Sequence, residues 1–261
     1  MTKQLELTKE EVFQFRSDGY TTVRGLVGRA ELAAIRTKLN ELQDNNNLAV
    51  DNFSDSLIVF RNLWRQSDEL KEIAWNLAPL AGHLMMEEHV RLFADLALIK
   101  PPATNGGRPT EWHQDSPNFP FDRRGFLTIW IAVEDVPRER GALTFLPRSH
   151  RLGSLGALDG HSATEKPVSA LLKEDDLAIV GDAVTVPLQA GDATVHDGHL
   201  LHYAGANTGE RSRRAWAVRF IPGDTLYTGA AHNSTDNIGM RPFEPFDHEH
   251  FPSISTPRFS S

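Results

Sequence analysis

The chain has 261 residues, 40% of them hydrophobic and 24% charged, with no cysteine and a formal charge of −8 from 27 basic and 35 acidic side chains. That length fits one domain of ordinary to large size or two small ones, and the composition excludes a disordered chain or a fibrous repeat. Disulfides, thiol nucleophiles, iron–sulfur clusters and cysteine-type zinc sites are excluded outright, the acidic balance argues against a nucleic-acid partner, and no apolar run reaches the roughly 18 residues of a membrane span.

The N-terminal stretch MTKQLELTKEE lacks the apolar core of a secretory signal, so a soluble cytoplasmic protein with no membrane partner is expected. Thr8-Lys9-Glu10-Glu11 reads as a capping box, and a helix follows to about Arg16 before Asp18-Gly19 breaks it. Tyr20–Val23 reads as a short strand. Leu32, Ile35, Leu39 and Leu42 predict a helix over 29–42, residues 56–60 a strand, and 68–86 one or two helices broken at Pro79. From Phe93 the runs become short, β-rich and punctuated by Gly and Pro. Strands are predicted at 93–99, 110–115, 126–134, 142–146, 183–187, 193–196, 200–204 and 213–221. No βαβ alternation is present, so a sandwich, jelly roll or barrel is expected rather than a Rossmann fold. The chain reads as one domain, 1–261. Residues 1–92 form a mostly helical support, 93–222 a β core, and 223–261 an irregular tail. The core carries a weakly patterned insertion at 150–181 whose Gly153, Gly156, Gly160 and Gly181, with Leu152, Leu155, Leu158 and Leu171, predict a lid.

Chemistry concentrates in the histidines. His113-Gln114-Asp115 is the one His-x-[Asp/Glu] among 11 histidines. A strand period of two puts His113 and Asp115 on one face, which suits two of the three ligands of a 2-His-1-carboxylate iron site or a plain hydrogen-bonded pair. A further ligand is offered by His196, His199 and His202, which cannot all serve one site with open positions. The segment Arg213–Phe220 alternates clearly, with bulky Arg214, Trp216, Val218 and Phe220 on one face and Arg213, Ala215, Ala217 and Arg219 on the other. The small-residue face suits a cavity wall with room for an anion that an arginine can grip through two parallel N–H bonds. In 126–134, Leu127, Ile129, Ile131 and Val133 form the packing face, while Thr128, Trp130 and Ala132 form the mixed face that can line a pocket.

The ordered series EWHQD (111–115), TIWIAVE (128–134), GALTFLPRSH (141–150) and HYAGANTGERSRRA (202–215) resembles the phytanoyl-CoA dioxygenase family over about residues 8–222. The resemblance implies a mainly β fold with a helical layer, a double-stranded β-helix (a cupin-like jelly roll) with N-terminal helices. It also implies an Fe(II)- and 2-oxoglutarate-dependent dioxygenase that consumes O2. His113 and Asp115 match its first two iron ligands. The family's distal ligand precedes a small-residue stretch ending in Asn, here Asn207, which selects His202 and not His196 or His199. Arg213, 11 residues past His202, matches the arginine that pairs with the far carboxylate of 2-oxoglutarate, and Gln114 and Trp130 match positions lining the cosubstrate site. Two departures stand out. Arg148 replaces the glycine of the usual P-G-S-H, which predicts an altered turn, and Ala204 replaces a hydroxyl residue, which removes one cosubstrate contact. Related halogenases carry a small residue where this chain has Asp115, so halogenation is not expected.

The resemblance implies a small-molecule substrate oxidised at a C–H bond, in natural-product tailoring by hydroxylation, oxidative cyclisation or epimerisation, with the protein a monomer or homodimer. Two alternatives remain open at this point. An acyl-CoA hydroxylase would need a phosphate-binding rim, for which Arg123, Arg124, Arg138, Arg140, Arg148 and Arg151 are the candidates if they are not simply solvated loop charges. A metal-binding cupin that does not use 2-oxoglutarate would not need Arg213.

Overall fold

The computed structural model describes residues 7–44, 57–155 and 172–257. The capping box opens α1 (Lys9–Asp18): Thr8 Oγ1 accepts the Glu11 N–H at 3.1 Å and the Glu11 carboxylate accepts the Thr8 N–H at 2.7 Å. Gly19 closes it at φ 85°, a left-handed turn that L side chains avoid. Helices α2 (Arg29–Asp44) and α3 (Asp68–Met85) each bury one apolar stripe. Pro79 does not break α3, contrary to the expectation at that position. An interior proline costs about 3 kcal/mol, but Leu77, Leu80 and Leu84 flank it fully buried, and each such side chain contributes about 1.5–3 kcal/mol.

The strands are β1 (Tyr20–Val23), β2 (Ile58–Arg61), β3 (His89–Lys100), β4 (Thr110–His113), β5 (Leu127–Ala132), β6 (Leu143–Phe145), β7 (Val184–Thr185), β8 (Ala193–Asp197), β9 (His202–Ala204), β10 (Arg213–Pro222) and β11 (Ser253–Ser255). Seven form one antiparallel sheet in the order β1-β8-β5-β10-β3-β11, with β2 also paired to β3; four form a smaller sheet, β4-β9-β6-β7. The period of two in β10 sorts its side chains as expected. Trp216, Val218 and Phe220 join Ile129, Ile131 and the helices in the larger core, while Ala215 and Ala217 join Trp130, Leu96, Leu143 and Phe145 between the sheets. Two facing antiparallel sheets with helices on the outer face of the larger one make a double-stranded β-helix. One carboxylate, Asp95, is buried in the outer core, where it accepts the Trp216 indole N–H at 2.6 Å and the Leu63 N–H at 3.0 Å.

One local expectation changes. The strand predicted over 110–115 ends at His113, and Asp115 has helical backbone angles (φ −70°, ψ −43°) at the start of a short 3-10 turn. Arg148 adopts φ 70°, the left-handed geometry that a glycine favours. Residues 156–171 of the expected lid, with Gly156, Leu158, Gly160 and Leu171, lie outside the described residues. Its described flanks, through Leu152, Leu155, Leu172 and Val180, pack on Leu146, Leu201 and Trp112. The described part of the tail is fixed by β11 on the edge of β3 and by Phe246 and Phe251 against Phe93. No helix among the described residues is long and apolar enough to cross a membrane.

Candidate active site

The two imidazoles sit opposite each other on neighbouring strands. His113 ends β4 in register with His202 at the start of β9, and their ring centroids are 4.1 Å apart. Each ring is oriented by the carbonyl two residues upstream: His113 Nδ1 lies 2.7 Å from Glu111 O, and His202 Nδ1 3.0 Å from Leu200 O. A carbonyl can only accept, so each Nδ1 carries the proton and each Nε2 lone pair is left for a metal. Burial pushes both imidazoles down from the ordinary histidine value, which keeps them in the neutral form a metal requires.

Asp115 completes the set through the turn after β4, not through strand alternation. Its Oδ1 lies 3.9 Å from His113 Nε2, and one donor atom each from His113, Asp115 and His202 lie within 4.8 Å of one another. The carboxylate is held from two sides. Thr128 Oγ1 donates to Oδ2 at 2.9 Å, and Arg219 Nη2 donates to Oδ1 at 3.2 Å. His196 Nε2 stands 3.5 Å from Oδ2. Burial alone would push this carboxyl up; the Arg219 charge, with His196 and His202 beside it, overrides that and holds it well below the usual carboxylate range. Two neutral imidazoles and one carboxylate on one side of a point, with outer partners fixing all three, fit Fe(II) in a facial triad.

A cavity of about 320 Å³ lies between the sheets and contains the triad. At one end Arg213, 2% exposed, stacks over the Trp130 ring at 5.1 Å. Its Nη1 reaches Leu98 O only at 3.5 Å, and its Nε has no partner among the described residues. Burial pushes it down to about 10. Beside it, wholly buried Lys100 donates to Arg108 O at 2.9 Å, Gly205 O at 3.0 Å and Thr110 Oγ1 at 3.1 Å, tying β3 to the ends of β4 and β9. A buried guanidinium without a carboxylate partner is costly, and an entering carboxylate such as the far end of 2-oxoglutarate would supply that partner. Arg214, one residue on, faces outward to Glu134 at 2.5 Å and Asn40 at 2.7 Å.

The structure thus brings His113, Asp115, His202, Arg213 and Trp130 around one cavity and leaves Gln114 off its lining. Buried Gln114 donates to Gly153 O at 2.7 Å and His199 O at 2.6 Å, and accepts the Leu155 N–H at 2.8 Å, so its amide fixes the segment after β6. His199 also lies off the cavity, 3.7 Å from Asp197. Three cavity residues stand beside Asp115: Thr128 and Arg219, expected only as pocket-lining positions, and His196, weighed as a ligand and set aside in favour of His202. Thr128 and Arg219 share the parity of Trp130 and Arg213 on their strands, a signal that was available; that both would meet Asp115 was not. None of the six loop arginines considered for an acyl-CoA rim lines the cavity; its arginines are Arg61, Arg213 and Arg219.

Residues 15–215 match the family model described as phytanoyl-CoA dioxygenase (PhyH). The chain belongs to the phytanoyl-CoA dioxygenase family. A Dictyostelium discoideum homolog of phytanoyl-CoA dioxygenase domain-containing protein 1 is 26% identical across 84% of this chain and 93% of its own. The human peroxisomal phytanoyl-CoA dioxygenase is 26% identical across 84% of this chain and 60% of its own. Among solved structures, the non-heme α-ketoglutarate-dependent carbocyclase SnoK from nogalamycin biosynthesis superposes with a TM-score of 0.82 at 24% identity, covering 97% of this chain and 99% of that one. The epimerase SnoN, in complex with Fe3+, α-ketoglutarate and nogalamycin RO, superposes with a TM-score of 0.77 at 26% identity over 94% and 97%. With the family's fold and the His113–Asp115–His202 triad in place, the protein is a non-haem Fe(II)- and 2-oxoglutarate-dependent oxygenase.

Proposed function

We propose that this oxygenase oxidises a C–H bond of a small or medium-sized natural product, with His113, Asp115 and His202 holding Fe(II), Arg213 gripping the far carboxylate of 2-oxoglutarate, and Trp130 forming the wall beside it. The observation that carries the cosubstrate assignment is Arg213, buried in the cavity with its Nε unpartnered among the described residues. Bound Fe(II) and 2-oxoglutarate together supply the oxidant that removes hydrogen from carbon. The chain's residues supply the rest. Glu111 O and Leu200 O fix the imidazole tautomers, and Thr128 and Arg219 hold the Asp115 carboxylate in one orientation. Arg213 and Trp130 set the length of the cosubstrate site, and Leu96, Leu98 and Leu143 keep the cavity apolar and restrict water. Ala204 contributes no hydroxyl, so the cosubstrate is held from the Arg213 side.

Natural-product tailoring is supported by the likeness to SnoN, an epimerase from nogalamycin biosynthesis, at 26% identity over nearly the whole chain. The acyl-CoA alternative loses support because none of the six loop arginines it needs lines the cavity, and three of them are engaged elsewhere: Arg123 pairs with Asp224, Arg140 donates to Asp135 O and Ser212 O, and Arg151 to Ser17 O. The test is a screen of polyketide and acyl-CoA pools in the presence of Fe(II), 2-oxoglutarate and O2, reading succinate formed and the product mass. Stoichiometric succinate with a polyketide is expected. Succinate formation driven by acyl-CoA alone would replace the natural-product reading.

A further inference from the structure

Two arginines face the cavity from one strand. Arg213 and Arg219 share a parity on β10 with only Ala215 and Ala217 between them, so their Cα atoms stand about 20 Å apart at roughly 3.3 Å per residue. Arg213 belongs to the cosubstrate end. Arg219, 8% exposed, lies at the other, where Phe119 packs under its guanidinium at 4.9 Å and the His232 ring lies 5.2 Å from Phe119. One of its nitrogens reaches Asp115; its Nε has no partner among the described residues. Arg61 of β2 lines the same cavity close enough for its charge to act on Arg219.

Charge decides what this end is for. Before loading, Asp115 offsets Arg219. A divalent metal on Asp115 draws on the same negative charge, and the dianionic cosubstrate then faces both the metal and Arg213. The metal, Arg213 and Arg219 together bring four positive charges against three negative ones from Asp115 and 2-oxoglutarate. One buried positive charge is left over at Arg219, and Arg61 lines the same cavity. A buried cation needs an anion, and the planar fork of a guanidinium fits a carboxylate best.

We infer that Arg219, with Arg61 beside it, anchors a carboxylate of the molecule to be oxidised, so that the enzyme selects acidic substrates with an apolar body. The anchor holds the acid next to the carboxylate ligand of the metal, and the rest of the substrate lies along Leu57 and Val59 at the cavity wall. This rests on the oxygenase reading above and adds the chemical class of its substrate.

The test uses the full-length protein loaded anaerobically with Fe(II) and saturating 2-oxoglutarate. The probes are 2-naphthoate and 4-phenylbutyrate, each against its neutral methyl ester. Binding is read by calorimetry, and the visible band of the iron–2-oxoglutarate chelate is recorded throughout. Each acid is expected to bind at least about tenfold more tightly than its ester, equivalent to about 1.4 kcal/mol, without bleaching the band. Arg61→Gln, which does not touch Asp115, is expected to cut that preference severalfold at unchanged iron content. Arg219→Lys is expected to cut it further, because lysine cannot make the two-pronged contact. Esters binding as well as acids, a preference unchanged in both variants, or a preference won by bleaching the band would each overturn the inference. If the band never forms in the wild type, the oxygenase reading falls and takes this one with it; if it forms and the acid preference is absent, this inference alone falls.

Discussion

The two faces of the larger sheet carry the same backbone and opposite chemistry. On the outer face Trp216, Val218, Phe220, Ile129 and Ile131 meet three helices; Asp95, fully buried there, is bonded to an indole and to backbone N–H groups, and Arg214 at the end of β10 pairs with Glu134. On the inner face Arg213, Ala215, Ala217, Arg219, Thr128 and Trp130 surround a cavity, and two guanidinium nitrogens have no partner among the described residues. The charged groups named on the outer face find their partners within the fold, whereas the two inner guanidinium groups keep a nitrogen for what enters the cavity. Unmet charged groups lining a cavity mark where function sits.

The comparison breaks first at the metal. His113→Ala or His202→Ala should abolish iron binding and turnover, while His199→Ala should leave both intact. His196→Ala should retain iron with affinity lowered about 10- to 100-fold, since His196 stands beside Asp115 and is not one of the triad. Iron stoichiometry and titration on the four variants decide this. Loss of iron in His199→Ala with retention in His202→Ala would move the distal ligand.

On the outer face Trp216→Ala should cost about 3–5 kcal/mol of stability, the range for a buried Trp in a core, with 2-oxoglutarate affinity unchanged wherever the variant is folded. Denaturant unfolding and cosubstrate binding, measured on the same sample, separate the two effects. On the inner face Arg213→Ala should do the reverse, leaving the fold intact and raising the 2-oxoglutarate KM by roughly two orders of magnitude, from the about 2–5 kcal/mol lost with a desolvated charge partner. Arg213→Lys should recover part of it. Arg214→Ala, whose side chain is turned to Glu134, should change KM little and stability by no more than about 1 kcal/mol. Equal damage to KM from the 213 and 214 substitutions would mean that the facing of β10 is wrong.

Asp95 gives the outer face a pH signature. Burial raises its folded carboxyl to about 6 from an ordinary 3.8, so the folded state holds this proton more tightly than the unfolded chain. Its contribution is complete below the unfolded value and is lost as pH rises through about 6, a loss of up to about 3 kcal/mol for a shift of two units. Asp95→Asn should flatten the unfolding free energy between pH 4 and pH 6 relative to wild type; parallel curves would put the titration elsewhere. The smallest effect expected is Arg148→Gly, which relieves a left-handed arginine at φ 70° and should shift stability by about 1 kcal/mol or less, without changing turnover.

Alternation made most of this legible beforehand. The period of two in Arg213–Phe220 and Leu127–Val133 predicted which side chains would pack and which would line a pocket, because a strand with one buried face cannot slip by one residue. The capping box at Thr8 and the helix stripe at Leu32, Ile35 and Leu39 were equally local. What could not be read was tertiary. Asp115 reaches the triad by a helical turn, where a continued strand was expected. Gln114, between two ligands, turns to Gly153, Leu155 and His199. Pro79 stays within α3 because burial on both sides of it outweighs the lost hydrogen bond. Arg219 meets Asp115 only because β10 and the turn after β4 fold together, a contact across 104 residues that no spacing encodes.

The central claim is that the inner face is completed by iron and 2-oxoglutarate together. Anaerobic addition of 2-oxoglutarate to the Fe(II)-loaded protein tests it most directly. A weak visible charge-transfer band is expected in the wild type, absent in His113→Ala and requiring roughly a hundredfold more 2-oxoglutarate in Arg213→Ala. Iron bound at full stoichiometry with no band at any 2-oxoglutarate concentration, or a band whose half-saturation is the same in Arg213→Ala, would contradict it.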